Sequence, residues 1–392
     1  MNPDNRKRGI KIILSGYYGF DNCGDEALLW AIIHCLKSLK PDIRITVLSG
    51  NPRKTRELYA VDAVNRWNPV RIALALISCR LLVSGGGSLL QDVTSGKSLS
   101  YYLLVIRIAA FFKKRVMVYS QGIGPLINEK NRNRVQNTLT RCSIITVRDK
   151  RSAELLREIG VNRDIQVTCD PVMAFSPDDI NFEDIMEILH DIGISRPLVN
   201  ISGDASETGT SKINKIPQAR KLLMVVMRCW DNNRHISPVA ELLDAQIKRG
   251  WDVLLTPAHY PGDMEALDKV TELMSEKPYL LDKCLTARQF LALTACADRV
   301  FSMRLHGLIC ALAAGTPMLG LSYDPKVDGF MEEAGLSSYC LHFEDFEYKA
   351  AERLMSDLDS ISPQLQQDLA IRTQKMRKLA WESAKNAVNL LN

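Results

Sequence analysis

One local pattern recurs along the chain: a short apolar, β-branched run, a turn rich in glycine or charge, then a stretch with helical periodicity. Residues 11–15 (Lys-Ile-Ile-Leu-Ser) run into glycines at 16, 19 and 24, and residues 25–39 carry apolar side chains at helical spacing. Further apolar runs occupy 44–48, 80–84, 114–120, 143–147 and 166–168. The pattern weakens over an acidic stretch, 176–196, punctuated by Pro177 and Pro197. It restarts with runs at 197–202, 222–228, 252–256, 299–302 and 318–322, and helical stretches at 237–248, 263–274 and 287–294 lie between them. Strands alternating with helices argue for βαβ units and parallel sheets. The expected class is therefore α/β, with two Rossmann-like domains facing across a cleft lined by the carboxyl ends of both sets of strands. The domains are expected at 1–180 and 197–360. A long closing helix within 361–392 is expected to pack back on the first.

Composition narrows the function classes. A length of 392 residues suits roughly two to three domains. With 46% hydrophobic and 24% charged residues, the chain resembles ordinary globular proteins and can build its own cores. None of its ten cysteines forms a C-x-x-C pair or a Cys/His group with zinc-ligand spacing. They are expected to be reduced, mostly buried thiols of a cytosolic protein, and Cys23 is expected to pack despite its polar loop. Segment 1–11 has no apolar signal core. The longest apolar run, about 99–112, is interrupted by Arg107 and too short to span a bilayer, so it reads as a buried helix. A net charge of +5 is too mild to imply nucleic acid. Basic groups at 6–8, 113–115 and 372–378, the last beside Trp381, suit either solvated faces or peripheral contact with an anionic membrane surface.

The strand ends carry the chemistry. Ser302-Met303-Arg304-Leu305-His306-Gly307 follows the apolar run 297–301 and opens a small-residue helix at 309–315. Ligands of open parallel sheets bind outside strand carboxyl ends, and a helix start adds unpaired N–H groups and partial positive charge. Arg304 would supply a fixed cation there. His306 has an unperturbed pKa near neutrality and would supply an acid. Arg228, beside Trp230, and Lys326, in Ser-Tyr-Asp-Pro-Lys-Val, would converge with Arg304, and three cations suit a small polyanion.

The front half is different. Gly16, Gly19 and Gly24 do not match the dinucleotide fingerprint, and Asp25 and Glu26 would compete with a phosphate for the first helical turn. A pyrophosphate is therefore excluded from that loop. The glycines, Asn22 and the carboxylates suit hydroxyl recognition, as of a sugar; Asp25 is open to a role as base or as helix cap. Gly85-Gly86-Gly87 lets a ligand approach the backbone, and Gln91 and Asp92 can read hydroxyls. Gln-Gly-Ile-Gly-Pro at 121–125 lies at another strand end. Arg148-Asp149 is either an ion pair or a site for a carboxylate or phosphate.

Taken in order, these segments resemble the polysaccharide pyruvyl transferase family over nearly the whole chain, and most of all its CsaB-type cell-wall polymer members. The resemblance implies a GT-B-like fold and transfer of pyruvate from phosphoenolpyruvate onto two sugar hydroxyls as a ketal, without a cofactor or metal. It implies a lipid-linked acceptor, often an N-acetylmannosamine residue, met on the cytoplasmic side of the membrane in cell-wall biosynthesis and S-layer anchoring. On that resemblance His306 is the acid. Arg228, Arg304, Lys326 and Gly307 hold phosphoenolpyruvate, and Arg148 reaches over from the other domain. Asp25 is the candidate base. The acceptor lies against Gly16, Gly19, Asn22, Gly85, Gly86, Gln91 and Asp92. The polar stretch 203–215 departs from the family pattern, and the oligomeric state is left open. Three rivals stand beside this reading: a GT-B glycosyltransferase using a nucleotide-sugar, with Glu332 and Glu333 on its ribose; a dinucleotide-dependent oxidoreductase; and a non-catalytic sugar-binding protein.

Overall fold

The computed structural model describes residues 9–93, 96–195 and 220–391. The strand expected at 197–202, the polar stretch 203–215 and the first basic group lie outside the described residues. The chain divides into two compact units, Met1–Ala174 with Met376–Asn392, and Phe175–Lys375.

The first unit is built on seven parallel strands: β1 (Lys11–Tyr18), β2 (Arg44–Ser49), β3 (Asp62–Asn65), β4 (Leu81–Gly85), β5 (Arg115–Gln121), β6 (Ile144–Val147) and β7 (Ile165–Val167). Their spatial order is β3-β2-β1-β4-β5-β6-β7. The winding reverses between β1 and β4, which pair with Ser15 opposite Ser84. Ile12, Ile13 and Leu14 are fully buried, because helices cover both faces of a parallel sheet. Each such residue contributes roughly 1.5–3 kcal/mol relative to exposure. The apolar run at 99–112 is a core helix, Gly96–Phe111, burying Leu99, Tyr102, Leu103, Val105, Ile106 and Ala109. Among the described residues no helix is long and apolar enough to cross a membrane.

The second unit has six parallel strands: β8 (Leu222–Val226), β9 (Asp252–Leu255), β10 (Tyr279–Leu280), β11 (Arg299–Ser302), β12 (Met318–Ser322) and β13 (Cys340–His342), in the order β10-β9-β8-β11-β12-β13. Its winding reverses between β8 and β11, with Val226 opposite Ser302. This unit begins at Phe175, so helix Glu183–Asp191, in the stretch read as a boundary, belongs to it and packs on helix Ala287–Cys296.

The closing helix, Pro363–Asn389, joins the first unit from Met376 onward. There Ser383 enters a buried hydroxyl network with Ser120 (2.8 Å), Thr146 (3.0 Å) and Thr168 (3.1 Å). A buried hydroxyl without a partner is costly, so this mutual bonding is what admits polar residues to the core. Trp381 donates its indole N–H to the Ala174 carbonyl (3.2 Å) and packs edge-on to His34, a packing role within the unit. Cys23 is buried in the first turn of helix Cys23–Leu39.

Candidate active site

In the second unit the reversal point brings the cations to one edge of the sheet. Arg228 and Arg304 each lie two residues beyond the Val226–Ser302 pair, on adjacent strands. β12 is the next strand on the other side of β11, and Lys326 follows it in the first turn of helix Pro325–Ala334. Neighbouring strands are about 4.8 Å apart, so the three chains leave the sheet side by side.

The turn after β11 is held by Ser302, whose hydroxyl accepts the Arg304 N–H (3.0 Å) and donates to the Arg304 carbonyl (2.8 Å). The helix then starts at Leu305 and runs to Ala314, earlier than the sequence periodicity suggests, so His306 and Gly307 lie in its first turn. Gly307 is buried against β11. A Cβ there would stand 2.4 Å from Ser302 Oγ, and the Gly307 N–H already donates to the Arg304 carbonyl (2.9 Å). Gly307 thus gives the helix its close approach to the sheet; its N–H is occupied within the turn. His306 is half-buried, with Nε2 closed off from solvent.

Among the described residues, Asn22, Asn51, Asn68, Asn128, Asp149, Thr286 and Asp324 cap their helices with a side chain, whereas Arg304, like Phe182, His235, Asp263 and Glu347 at other helix starts, makes no side-chain cap. A guanidinium at the positive end of a helix is unfavourable by itself and favourable only with an anion present.

Arg304 is held by a partner the sequence reading missed. Its Nη2 bonds Oδ1 of Asp263, a fully buried carboxylate whose Oδ2 accepts the N–H groups of Ala258 (3.1 Å) and His259 (2.9 Å). Arg304 Nε is buried with no hydrogen-bond partner among the described residues. Arg228 donates from Nη1 to the Tyr323 hydroxyl (3.0 Å) and lies 5.3 Å from the Trp230 ring centre and 5.1 Å from that of Tyr323. Beneath it, buried His235 donates from Nε2 to the Arg228 carbonyl (3.1 Å); burial lowers its pKa to about 4, so the ring is neutral.

The reversal point of the first unit carries carboxylates and glycines. Asn22 accepts the Gly24 N–H (3.1 Å) and caps helix Cys23–Leu39. Glu26 is buried and accepts the Gly19 N–H and the Tyr59 hydroxyl, both at 2.6 Å; burial raises its carboxyl pKa despite those bonds. Gly86 and Gly87 both have φ of +67°, which disfavours any side chain. Cβ atoms there would meet Leu28 and Asp25 Oδ1 at 3.0 Å, so the Asp25 carboxylate lies directly on the triple-glycine turn. The Gly16 carbonyl accepts from Arg66 (3.0 Å), and a Cβ at Gly16 would collide with the Tyr18 ring, whose hydroxyl donates to the Gly85 carbonyl (2.8 Å).

Two expected sugar readers are engaged locally. Gln91 Oε1 accepts the Val93 N–H (3.0 Å). Asp92 accepts the N–H groups of Ile127 (2.9 Å) and Asn128 (3.0 Å) and the Asn131 amide (3.0 Å). Burial pushes the Asp92 pKa up, but those bonds outweigh it and hold the carboxyl below its ordinary range. Arg148 is buried at the end of β6, 3.5 Å from both Asp149 and Asp170. A Cβ at Gly122 would meet Arg148 Nη2 at 2.7 Å and Ser88 Oγ at 2.8 Å, so Arg148 borders the loops after β4 and β5 of its own unit.

Sequence reading also missed Arg66, which follows β3. It is 4% exposed, and its guanidinium carbon lies 4.3 Å from the ring centre of Tyr101, 5.1 Å from Trp67, 5.2 Å from Phe20, 5.3 Å from Tyr102 and 6.0 Å from Tyr17. Its Nε has no hydrogen-bond partner among the described residues. The aromatic density of residues 17–20 and 101–102 is a sequence signal, but nothing local joins it to Arg66.

The family model described as polysaccharide pyruvyl transferase matches residues 22–325. The chain belongs to that family. The matched span includes Asn22, Asp25, Arg148, Arg228, Arg304 and His306 and stops one residue before Lys326. Among curated protein sequences none matches this pyruvyl transferase family member. Solved structures match it in fold. HepE of Anabaena in complex with UDP is 13% identical, with 97% of this chain and 100% of that chain covered and a TM-score of 0.61. MnaA of S. aureus, solved with UDP, is 11% identical over 97% and 95%, with a TM-score of 0.60. The UDP-GlcNAc 2-epimerase of Neisseria meningitidis, bound to UDP-GlcNAc, is 12% identical over 97% and 99%, with a TM-score of 0.58. The fold is therefore of the GT-B glycosyltransferase and epimerase type, with two parallel-sheet α/β domains, as the sequence predicts.

Proposed function

We propose that this pyruvyl transferase moves the pyruvyl group of phosphoenolpyruvate onto two hydroxyls of a lipid-linked sugar, of N-acetylmannosamine type, in cell-wall polymer biosynthesis at the cytoplasmic face of a membrane, as CsaB-type members do. The observation that carries the reading is the helix start Arg304-Leu305-His306, uncapped and cationic, with Arg228 on the adjacent strand. A carboxylate and a phosphate on one small molecule match that field.

In this reading Arg228, Arg304 and Lys326 bind the donor's two anionic groups. His306 in its protonated form delivers a proton to the enol methylene, which makes C2 electrophilic. One sugar hydroxyl adds to C2 and loses its proton, giving a tetrahedral carbon that still bears phosphate. The second hydroxyl then adds as the C2–O bond to phosphate breaks, and its proton leaves with the phosphate. The cations stabilise the charge on the departing group. Asp25, lying on the triple-glycine turn, is the base candidate for the acceptor. Trp67 and Tyr17, backed by Arg66, are its stacking surface, since aromatic faces suit the apolar faces of sugar rings.

A nucleotide-sugar donor is less well supported. Glu332 and Glu333 lie in the last turn of helix Pro325–Ala334, roughly 10 Å along its axis from Lys326 and toward the opposite edge of the sheet. The test is incubation of the enzyme with phosphoenolpyruvate and a synthetic lipid-linked acceptor. Mass spectrometry should show a gain of pyruvate less water, with one phosphate released per ketal. His306→Ala should lose at least about 10²-fold in turnover, the lower range for a general acid, with acceptor KM little changed. Near-normal turnover in that variant would remove His306 from the mechanism, and transfer from UDP-sugars alone would replace the reaction.

A further inference from the structure

Helix Pro69–Ser78 in the first unit buries Ile72, Ala75 and Leu76 yet leaves Val70 66%, Leu74 62% and Ile77 48% exposed. Those positions recur at helical spacing and form an apolar stripe about 10 Å long. Trp67, 66% exposed, extends it at the start of the helix. Helix Gly96–Phe111 packs beside this one on the same core and exposes Leu104 (54%) and Phe111 (79%), two turns apart on one face. The pair is pinned at both ends: the Trp67 and Tyr101 rings lie 5.9 Å apart, and Lys114 Nζ donates to the Ile77 carbonyl (2.7 Å). Single exposed apolar residues are ordinary; a two-helix face of them is not.

The charge around this face is one-sided. Residues 63–128 contain eight Lys or Arg and a single acid, Asp92, while the whole chain carries only +5. Asp92 is turned to the backbone of 127–128. Arg71, Arg80, Arg107 and Lys113 are exposed beside the apolar residues. An apolar stripe flanked by cations complements a bilayer, with acyl chains taking the apolar side chains and anionic headgroups taking the cations.

We propose that this two-helix face docks the enzyme on a bilayer rich in anionic phospholipid. The stripe ends at Trp67, and Trp67 borders the Arg66 aromatic cluster at the carboxyl edge of β1 and β3. A lipid tail on the stripe would leave its sugar at that cluster. The inference rests on the proposed reading in one respect: a lipid-linked acceptor must be met at a membrane. It moves the membrane contact away from residues 372–378 and Trp381, whose indole is engaged within the unit.

Co-sedimentation with vesicles of equal parts phosphatidylglycerol and phosphatidylcholine, against pure phosphatidylcholine, tests it. The full-length enzyme should bind the anionic vesicles at low ionic strength and release in high salt. Leu74→Glu and Phe111→Glu should each cut binding about tenfold or more, and Arg107→Glu about fivefold. Ile371→Glu, an exposed position on the closing helix, should bind like the wild type. Unchanged circular dichroism checks folding, and unchanged pyruvyl transfer to a water-soluble acceptor separates docking from chemistry. Absence of binding to anionic vesicles, or equal binding by Leu74→Glu, overturns the docking face while leaving the reaction intact. Self-association lost in Leu74→Glu, without vesicle binding, would assign the stripe to a second copy instead. Vesicle binding without pyruvyl transfer to any acceptor would overturn the reaction and leave the docking face.

Discussion

At the reversal point of the first unit, Asp25 lies on three consecutive glycines and the following helix is capped by Asn22. At the reversal point of the second unit, Arg228 and Arg304 flank a helix whose start has no side-chain cap. The two sheets share their winding and place loops at equivalent positions, yet the loops differ in sign. Acidic side chains with neutral donors suit hydroxyl groups, and a group of cations at a helix start suits an anion. The topology supplies a position for a ligand, and a handful of loop residues choose which ligand.

The sharpest way to break this contrast is to remove a cation from the second unit. Arg304→Ala should lower kcat/KM for phosphoenolpyruvate by roughly 10²–10³-fold, the range for losing one preorganised donor to developing charge. Acceptor KM should stay near wild type. Asp263→Asn should move the same parameter in the same direction by less, because it loosens Arg304 without removing it. Steady-state kinetics with each substrate varied would show this, and an effect on acceptor KM alone would reverse the assignment of the two sides.

A smaller effect is expected from the first unit. Trp67→Ala should raise acceptor KM by up to about tenfold, the scale of one aromatic contact, and leave donor KM unchanged. Trp67 is exposed, so the substitution leaves the core intact. Equal effects on both substrates would dissolve the contrast.

The smallest effect is on acid stability, and it runs in opposite directions in the two units. The folded-state pKa of His235, about 4, lies below its ordinary 6.5. Between those values the unfolded chain binds a proton that the folded chain does not, so stability conferred by the neutral ring is lost as pH falls from 6.5 toward 4. Burial raises the pKa of Glu26 above its ordinary 4.5, so the folded first unit holds that proton more tightly and gains stability as pH falls toward 4.5. Hydrogen exchange followed against pH should therefore show the β8 region opening before the β1 region on acidification. His235→Asn should flatten the dependence in the second unit. Simultaneous opening with no effect of that variant would refute the difference.

What could be read beforehand follows the range of the forces. The central strands were legible because burial on both faces demands unbroken apolar runs, as in Ile12-Ile13-Leu14. The three strands missed, β3, β10 and β13, are all edges, short and less apolar, and their existence depends on a neighbour. The positions of Arg228, Arg304 and His306 were legible because each lies shortly after the end of a central strand, β8 or β11. The local contacts of Asn22, Gly307 and Asp92, which are a helix cap, a close approach to Ser302 and hydrogen bonds to residues 127–131, were not legible, because they depend on the folded turns around them. Helix Leu305–Ala314 was placed too late because Arg-Leu-His carries no apolar period of its own.

By itself the order of residues determined the class of fold, the winding units and the three cations that follow β8, β11 and β12, since these depend on neighbours a few positions apart. Only the tertiary structure decided that Asp263 braces Arg304 across 41 positions in the second unit, and that in the first unit Arg66 sits among five rings with an apolar stripe open beside those rings. The physical reason is that ion pairs, ring contacts and solvent exposure are set by which strands become neighbours, and that choice is made by the whole core rather than by any short stretch of chain.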